Sequence, residues 1–449
     1  MKITQLYSAS VIIENSNVKI LCDPWLEGEE YYGSWGMYPP YDFNPHTFDD
    51  VDFIYISHIH PDHCSTATLS KLNKNIPVLI HNFPEKFLKN KIESLGFKVI
   101  EMENNVRTRL KGDLHINILA ADNCDPQICG KLMGCAFLET KFGTTQIDTI
   151  SVIDNGKEVI VNTNDCPYQI AENTAKQIKL QYQNIDVLLI GYVKASSYPQ
   201  CFELDEYEKR KEAEIKQKSK LETAKKYIEL LKPKYYVPFA GRYTLTGKNA
   251  ILNPFRGEPE LEYAHDWLVQ NVPQGEYKGI ILNHDSYFDI TTGKTSEEYK
   301  RMDLKKKQEY VDKVFLNKKY DYESGLAPTA EELLDLIPKA YENFEKCRKK
   351  IDWVSKTTIL LQLTKEIIIS ISCDGTGFKK ISSDMIKDYK QYLMMSVDNR
   401  LLKLLLQGPR KAHWGLADIG CHIKFKRIPN IYERALYYCW NYFYSNTYD

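Results

Sequence analysis

Short apolar runs separated by turn residues dominate the first two thirds of the chain. Two mostly apolar runs, at 10–13 and 18–21, predict a β-hairpin, which turns at Asn15-Ser16-Asn17. A second hairpin is predicted around Asn155-Gly156, because this dipeptide favours a type I′ turn. The apolar runs that predict strands lie at 53–56, 78–80, 98–100, 115–119, 136–140, 150–153, 158–161, 187–191, 234–241 and 279–282.

Helical periodicity is confined to fewer stretches of this region. A short helix is predicted at 65–72, directly after the strand at 53–56. Residues 205–232 are highly charged but keep apolar side chains near helical spacing from Leu221 onward, which predicts a long surface helix with a solvated charged face. Strands and helices in this order predict two layered ββαβ-like halves, an α/β architecture.

A different pattern begins near residue 328. Residues 296–327 are charged and rich in lysine, which predicts a linker or a surface helix. Beyond them the pattern predicts a helix, two paired strands, a leucine-rich helix and an aromatic helix, at 328–349, 358–363, 367–372, 399–407 and 431–444. We therefore expect one domain over 1–295 and an α+β accessory domain over 328–449, in which the leucine and aromatic stripes form core.

Length and composition agree with two domains and exclude some partners. A chain of 449 residues is too long for one ordinary domain. The net charge of −1 gives no electrostatic reason to expect nucleic acid or an anionic membrane as a partner. Eleven scattered cysteines without a Cys-x-x-Cys pair, no signal-peptide pattern and no apolar run of membrane-spanning length predict a soluble protein of the cytoplasm.

One loop concentrates residues that bind metals. The segment His58-Ile59-His60-Pro61-Asp62-His63 follows the predicted strand at 53–56. In an extended loop, alternate side chains fall on one side, so two imidazoles and a carboxylate converge, with a third imidazole beside them. Such donors suit zinc, iron or manganese. A polar loop whose histidines make only hydrogen bonds is the alternative, which so dense a cluster disfavours.

The His-x-His-x-Asp-His spacing after a buried strand resembles the signature of the metallo-β-lactamase superfamily. The resemblance implies an αββα sandwich that holds one or two divalent metal ions, with zinc expected and iron or manganese as the alternatives. It implies that His58 and His60 bind the first ion, and that Asp62 and His63 bind the second. It also implies that Asp23, on the strand before the loop, orients the metal loop.

Two further ligands are implied by the same resemblance. Asp165, at the end of a predicted strand, matches the carboxylate that bridges both ions, although an Asp there could also simply cap a loop. Asp125 stands where the superfamily has a histidine for the first ion, with Asp122 and Cys124 as alternates. The last histidine of the superfamily has no clear counterpart. His265 and His284 are the available candidates.

Several motifs resemble one branch, the β-lactamase-like part of CMP-N-acetylneuraminate hydroxylase and its bacterial relatives. They are Cys22-Asp23-Pro24-Trp25, Ile54-Tyr55-Ile56-Ser57-His58, Asn162-Thr163-Asn164-Asp165-Cys166, Pro238-Phe239-Ala240-Gly241, Pro429-Asn430-Ile431-Tyr432 and Trp440-Asn441-Tyr442-Phe443. That branch also carries a Rieske iron–sulfur domain, which needs Cys-x-His and Cys-x-x-His pairs. This sequence contains neither pair, so we expect it to lack a Rieske domain.

Three functions remain open at this point. A metal-dependent hydrolase would use a metal-activated water on a phosphoester, ester or amide, with Asp62 and Asp165 as catalytic residues. A di-iron oxygenase would need a separate redox partner, and a degenerate metal-binding protein would need no substrate. The expected substrate is a small molecule, and by analogy with the family a nucleotide or nucleotide-sugar.

Candidate substrate contacts lie outside the metal loop. Arg242, just past a glycine turn, could contact an anion, although an ordinary surface arginine is an equal alternative. Tyr243 and the tryptophan of the Trp35-Gly36 step are the aromatic candidates. The latter lies in a Tyr- and Trp-rich segment, 29–45, that is either a pocket wall or a structural loop.

Overall fold

A computed structural model describes residues 1–83, 86–121, 148–193, 195–273, 275 and 277–446. Its strands are β1 Lys2–Tyr7, β2 Ser10–Asn15, β3 Val18–Cys22, β4 Trp35–Gly36, β5 Phe53–Tyr55, β6 Val78–His81, β7 Val99–Met102, β8 Thr108–Lys111, β9 Leu114–Ala120, β10 Thr149–Asp154, β11 Val159–Asn162, β12 Val187–Gly191, β13 Tyr235–Phe239, β14 Thr244–Leu245, β15 Lys278–Gly279, β16 Tyr287–Asp289, β17 Lys294–Thr295, β18 Thr358–Gln362, β19 Ile367–Ser372, β20 Phe378–Ser382, β21 Tyr392–Val397 and β22 Ile423–Ile428. Its α-helices are α1 Thr66–Lys71, α2 Phe87–Ser94, α3 Tyr168–Gln181, α4 Glu206–Leu231, α5 Leu261–Asn271, α6 Leu304–Tyr310, α7 Ala330–Leu334, α8 Ile337–Lys350, α9 Asn399–Leu406, α10 Trp414–Ile419 and α11 Arg434–Trp440.

Two mixed sheets form the N-terminal part of the molecule. The first has the strand order β17-β16-β1-β2-β3-β5-β6-β7, and the second has the order β15-β13-β12-β11-β10-β9-β8. In the first sheet the hairpin strands are antiparallel, whereas β3, β5, β6 and β7 run parallel. In the second, β11, β12, β13 and β15 run parallel. Parallel strands bring their carboxyl ends to one edge of the sheet, which is where candidate site residues collect.

Alternate residues along the strands build a core between the two sheets. Ile20 and Tyr55 of the first sheet pack in one apolar cluster with Ile116, Ile153 and Leu189 of the second. The intervening residues of the same strands point outward, where they pack against helices. Helices α1 and α2 cover the first sheet, and α3, α4 and α5 cover the second. This is the αββα sandwich that the resemblance implied, so the predicted fold class is confirmed.

A third sheet belongs to the C-terminal part of the chain. Its strand order is β20-β19-β18-β21-β22, with β18 and β21 parallel and the other pairs antiparallel. The sheet contacts the N-terminal part, because Phe425 on β22 exchanges backbone hydrogen bonds with Cys201 and Glu203 at 2.9 and 2.8 Å. The predicted α+β character is therefore present, and its helices pack into the same apolar cluster as the outer layers of the sandwich.

Several predicted elements differ from the observed ones. The helix predicted over 328–349 is broken at residues 335–336 into α7 and α8, and α8 begins with Ile337-Pro338. The predicted C-terminal helix is shorter, at Arg434–Trp440. The segment 296–327, predicted as a linker or surface helix, contains α6 and buries Phe315 and Tyr320. The strand predicted at 136–140 lies outside the described residues, and the proposed domain boundaries stay predictions.

The described residues contain no helix that is both long and apolar enough to cross a membrane. The cytoplasmic location stays a prediction.

Candidate metal centre

The candidate metal loop follows β5, at the carboxyl edge of the first sheet. His58, Asp62 and His63 are buried there, and His60 is half-buried. The loop closes on itself, because the backbone amides of His63 and Cys64 both donate to the His60 carbonyl, at 3.0 and 2.8 Å. Helix α1 then begins beyond the loop, where the side chain of its N-cap residue accepts from the backbone amide of Thr68. Ordinary backbone and capping bonds therefore fix the loop.

Asp23 holds the loop from the end of the neighbouring strand β3. One carboxylate oxygen accepts from the Ser57 amide at 2.7 Å, and the other accepts from the Ser57 hydroxyl at 2.7 Å. The second oxygen also lies 2.9 Å from Nδ1 of His63. A carboxylate at Nδ1 keeps the proton there and leaves Nε2 as the free ligand atom. The predicted orienting position of Asp23 agrees with these contacts, and its role stays a prediction.

The side chains form two adjacent groups of ligand atoms. In one, atoms of His58, His60 and Asp148 lie within 4.8 Å of one another. In the other, atoms of His58, His63 and Asp165 do so. His58 Nε2 lies 2.9 Å from His60 Nδ1 and 3.8 Å from an Asp148 oxygen. His58 thus stands between two groups that could each hold an ion.

Asp62 completes the second group. Its Oδ2 lies 3.5 Å from His63 Nε2, and an oxygen of Asp165 lies 3.3 Å from the same nitrogen. The structure therefore places the five described residues predicted as ligands in one cluster. Asp125 and its alternates Asp122 and Cys124 lie outside the described residues, so their part in the site stays a prediction.

Asp148 is a candidate ligand that sequence reasoning missed. It precedes β10 and lies opposite His60, where the resemblance called for a third ligand of the first ion. Its neighbour Thr149 donates to the Ser57 carbonyl at 3.0 Å and meets the Tyr55 hydroxyl at 2.9 Å, which ties the start of β10 to the metal loop. An aspartate before a strand is common, so only the pairing of β10 beside the loop could have indicated it.

The position of Asp165 depends on a close approach between the backbones of Gly191 and Asn164. Gly191 ends β12, and a Cβ built on it would lie 2.3 Å from the carbonyl oxygen of Asn164. Asn164 itself has a φ of 48°, in the left-handed region that asparagine tolerates. The glycine therefore lets the chain turn after β11 and present the following carboxylate to His63.

We expect Gly191→Ala to displace this turn. The added methyl group would overlap a backbone atom, which cannot move aside as a flexible side chain can, so a loss of about 1–3 kcal/mol in the free energy of unfolding is expected. Metal affinity should fall with it, because Asp165 is carried on the same turn. Gly325→Ala is the matched control, since a Cβ there meets nothing within 4 Å. Urea unfolding and metal titration measure both effects. Unchanged values in Gly191→Ala would contradict this account of the turn.

The C-terminal part of the chain contacts Tyr31, which in turn bonds Asp62. The Tyr31 hydroxyl donates to Oδ1 of Asp62 at 2.7 Å, and the Tyr31 carbonyl lies 2.8 Å from Nε2 of His422. The Tyr322 hydroxyl meets the other ring nitrogen of His422 at 2.8 Å. Burial lowers the pKa of His422 to about 4, so the ring is neutral at pH 7 and can donate to one partner and accept from the other.

Burial and neighbouring charges shift the pKa values of the four loop residues in different directions. Burial lowers the pKa of His58 and of His60, so both imidazoles are neutral near pH 7, as metal ligands must be. Burial opposes the charged form of His63, but the carboxylates of Asp165, Asp62 and Asp23 together raise its pKa. Burial raises the pKa of the Asp62 carboxyl.

The chemistry of this donor set fits one or two divalent cations. Neutral imidazole nitrogens and carboxylate oxygens are the ligands of zinc, iron and manganese. Nδ1 of His58 is engaged by the Ser57 hydroxyl at 2.9 Å and Nδ1 of His63 by Asp23, which leaves both Nε2 atoms for a metal. The carboxylates of Asp62 and Asp165 beside His63 repel each other unless a positive charge lies between them.

The other predicted contacts lie elsewhere. Trp35 and Tyr243 are buried and stacked on each other, with ring centroids 3.5 Å apart. The Tyr31 ring lies beside Trp35 and Arg256 lies over Tyr243, so protein groups surround both rings. Their contact with a substrate stays a prediction. Of the two candidate histidines, His284 lies 2.9 Å from Arg242, and His265 contacts Asp266 at 3.2 Å. Neither belongs to the ligand groups found among the described residues.

Residues 2–124 match the family described as "Beta-lactamase superfamily domain". This match confirms the resemblance to the superfamily that the motifs indicated.

Curated relatives include proteins of the branch named above. A putative Rieske 2Fe-2S iron-sulfur protein of Mycobacterium tuberculosis is 27% identical over 247 residues, 54% of this chain and 44% of the relative. Cytidine monophosphate-N-acetylneuraminic acid hydroxylase of Danio rerio is 24% identical over 255 residues, 54% of this chain and 38% of the relative. The match thus covers less than half the length of either relative.

The chain is also similar to solved structures. CmlA, a diiron β-hydroxylase from Streptomyces venezuelae, is 16% identical with a TM-score of 0.41, over 66% of this chain and 54% of its own. A possible metal-dependent hydrolase from Veillonella parvula is 11% identical with a TM-score of 0.42, over 64% of this chain and 98% of its own.

Proposed function

We propose that the protein is a metal-dependent hydrolase of a small molecule that carries a phosphoester, ester or amide bond. The observation that carries the proposal is the pair of adjacent ligand groups that share His58, with the carboxylates of Asp62 and Asp165 beside His63. In this proposal His58, His60 and Asp148 hold one divalent ion, and His63, Asp62 and Asp165 hold the other. A bound divalent ion supplies a Lewis acid and lowers the pKa of water, which gives a nucleophile at neutral pH.

The protein's own part in this reaction is to hold the metal-binding side chains in place and to accept a proton. Oδ1 of Asp62 is fixed by the Tyr31 hydroxyl at 2.7 Å, and Oδ2 faces His63. With Oδ1 held by Tyr31, Oδ2 is the oxygen left to accept a proton. Asp62 would take the proton from the attacking water at Oδ2, while Asp23 and Ser57 keep His63 and His58 in place.

We expect Asp165→Asn to keep the fold and to lose hydrolysis. An amide keeps the size of the side chain but not its charge, and it is a poor metal ligand. Turnover of bis(p-nitrophenyl) phosphate, measured with added zinc or manganese and no reductant, should fall by at least about 10–100-fold, the range found for groups that only support metal ligands. Asp186→Asn is the matched control, since that carboxylate accepts from the Val159 amide away from the cluster.

Two results would count against the hydrolase. One is wild-type protein, loaded with metal, that turns over no phosphodiester, ester or amide reporter. The other is a rate in Asp165→Asn equal to that of the wild type.

A di-iron oxygenase is the second candidate, and the names of the relatives favour it. One is called a Rieske iron-sulfur protein, and the other hydroxylates a nucleotide-sugar by its name. Carried over to this chain, those names would make a nucleotide or nucleotide-sugar the substrate and would require a separate electron donor. Protein isolated with two irons per chain, and with a visible absorption that changes on aerobic addition of reductant, would promote this candidate. Colourless protein with zinc or manganese would support the hydrolase.

A further inference from the structure

A small cleft lies beyond the end of β13, and three cations line it. They are Arg242, Arg256 and Lys307, together with Tyr38, Glu258 and Glu260. None of these residues belongs to the metal cluster, and the proposed hydrolysis does not use them. We name this feature the Arg242 cleft.

The backbone is shaped to bring Arg242 to the cleft. Ala240 and Gly241 both have positive φ, at 54° and 104°, so the chain turns sharply after β13. A Cβ on Gly241 would lie 2.5 Å from Cγ2 of Val193, so both the conformation and the space require glycine there. Ser8 anchors the turn, because its carbonyl accepts from the Ala240 amide at 3.1 Å and its hydroxyl from the Gly241 amide at 3.1 Å.

The carboxylates of the cleft already have partners. Glu258 lies 3.3 Å from the Arg256 guanidinium and 3.1 Å from the Lys216 ammonium. Glu258 also accepts from the Tyr243 hydroxyl at 2.5 Å, and Glu260 pairs with Lys307. Both carboxylates are thus paired with cations other than Arg242.

Arg242 itself has no carboxylate within 4.0 Å among the described residues. Its two terminal nitrogens contact His284 Nε2 at 2.9 Å and the Tyr299 hydroxyl at 3.2 Å. Burial, with a smaller effect of Arg242, lowers the pKa of His284 to about 4, so this partner carries no charge near pH 7. The buried Nε of Arg242 has no hydrogen-bond partner in the described part of the chain. Placing a guanidinium in such surroundings costs free energy unless an anion pairs with it.

The neighbouring cations increase that cost. Nε of the buried Arg256 also lacks a hydrogen-bond partner among the residues described. Burial lowers the pKa of Lys307, Glu260 opposes this effect, and the charges of Arg256 and Arg242 add to it. Three cations therefore line a cleft whose two lining carboxylates are already paired. The further carboxylate of Glu262 meets Arg242 only through the Tyr299 hydroxyl, from which it accepts at 2.7 Å. An anionic group placed among the three cations would remove the excess charge.

We propose that the Arg242 cleft binds an oxyanion, the phosphate or carboxylate group of a small molecule. A planar guanidinium with a free Nε–H and a terminal N–H matches two oxygens of either group. An aromatic stack connects the cleft with the metal cluster: Arg256 lies over Tyr243 at 4.6 Å, Tyr243 stacks on Trp35, and the Trp35 ring lies 4.2 Å from that of Tyr31, which donates to Asp62. That the oxyanion belongs to the substrate of the metal centre rests on the proposed function, whereas oxyanion binding itself does not.

Binding of inorganic phosphate and of acetate to the full chain tests the proposal. The protein is first treated with a chelator, so that no metal ion can bind either anion, and the titrations are followed by calorimetry at low ionic strength. We expect the wild type to bind at least one of the two anions with a Kd in the range of about 0.1–10 mM. Tighter binding of phosphate would identify a phosphate ester as the ligand, and tighter binding of acetate would identify a carboxylate.

Arg242→Gln should weaken this binding by about ten- to a hundredfold, because a charge-assisted pair of hydrogen bonds is lost. The control Arg301→Gln removes an exposed arginine that pairs with Asp266 at 2.8 Å, and it should bind as the wild type does. Phosphate or acetate should raise the melting temperature of the wild type but not that of Arg242→Gln. Lys307→Gln is the second variant, should Arg242→Gln not fold, and it should also weaken binding.

The competing explanation is a purely structural charge network, and it makes opposite predictions. Under it, the wild type binds neither anion up to about 20 mM, or Arg242→Gln binds as well as the wild type. Either result would overturn the proposal. Because the protein is free of metal throughout, loss of the hydrolase hypothesis would leave these measurements unaffected.

Discussion

Protein that carries His58→Ala and His60→Ala should lose most of its bound metal. The pair removes two of the three ligand atoms in the group with Asp148, and it also removes the imidazole that this group shares with His63 and Asp165. Loss of a single supporting partner already weakens metal binding by about 10–100-fold, so the double variant should bind the first ion more than about a hundredfold more weakly. Metal analysis and titration with zinc under a competing chelator measure the effect.

The control for this pair removes two histidines that lie outside the cluster. In His46→Ala/His115→Ala, the side chain of His46 is exposed, and the His115 ring meets the Asp113 carbonyl at 2.8 Å. This variant should keep the metal content of the wild type. Equal metal content in both double variants would show that the ion is bound somewhere else.

Asp23→Asn should also weaken metal binding, although Asp23 is not one of the proposed metal ligands. An amide nitrogen facing Nδ1 of His63 would donate to that nitrogen, so the imidazole proton would move to Nε2. Nε2 is the atom that faces Asp62 and Asp165, and a protonated Nε2 cannot bind a metal ion. Metal affinity should therefore fall by about 10–100-fold. The backbone should be undisturbed, because asparagine tolerates the φ of 44° at this position as aspartate does.

The fold and the tautomer can be followed separately in this variant. Far-ultraviolet circular dichroism and urea unfolding report the fold, while ¹⁵N chemical shifts of labelled histidine report which ring nitrogen carries the proton. Asp186→Asn serves again as the control. Its carboxylate is half-buried and accepts a backbone hydrogen bond from Val159, as the Asp23 carboxylate accepts one from Ser57. Unaltered metal affinity in Asp23→Asn would mean that this carboxylate does not orient His63.

The parts of the fold that the sequence predicted are those with a local signal. The hairpin of β10 and β11 was predicted from Asn155-Gly156, and the long helix α4 from apolar spacing and charge. Helix α3 was missed, although Ile170, Ala171, Thr174, Ala175 and Ile178 bury one face of it. These are small or moderate residues in a polar sequence, so the apolar stripe is narrow. Strands β20 to β22 were missed as well. β20 is mostly exposed and carries two lysines among five residues, whereas β21 is mostly buried and its apolar run was overlooked.

The same distinction applies to the site. The ligand cluster of the metal loop could be predicted because its residues lie within six positions of one another. Asp148 could not, because it comes near His58 only through strand pairing across the second sheet and packing between the sheets. The contact of His422 with Tyr31 joins residues 391 positions apart, and no local pattern indicates it. Arg242 was predicted as an anion contact from its glycine turn, but its lack of a carboxylate partner is visible only in three dimensions.

The central claim is that the residues of the metal loop, with Asp148 and Asp165, hold a divalent cation. Anomalous X-ray diffraction from crystals of the full chain grown with zinc or manganese tests it most directly. We predict a peak at ligand distance from His58, His60 and Asp148, and a second, of equal or lower occupancy, at ligand distance from His63, Asp62 and Asp165. Crystals that show no anomalous peak at either place, or show the metal bound only elsewhere on the chain, would contradict the account.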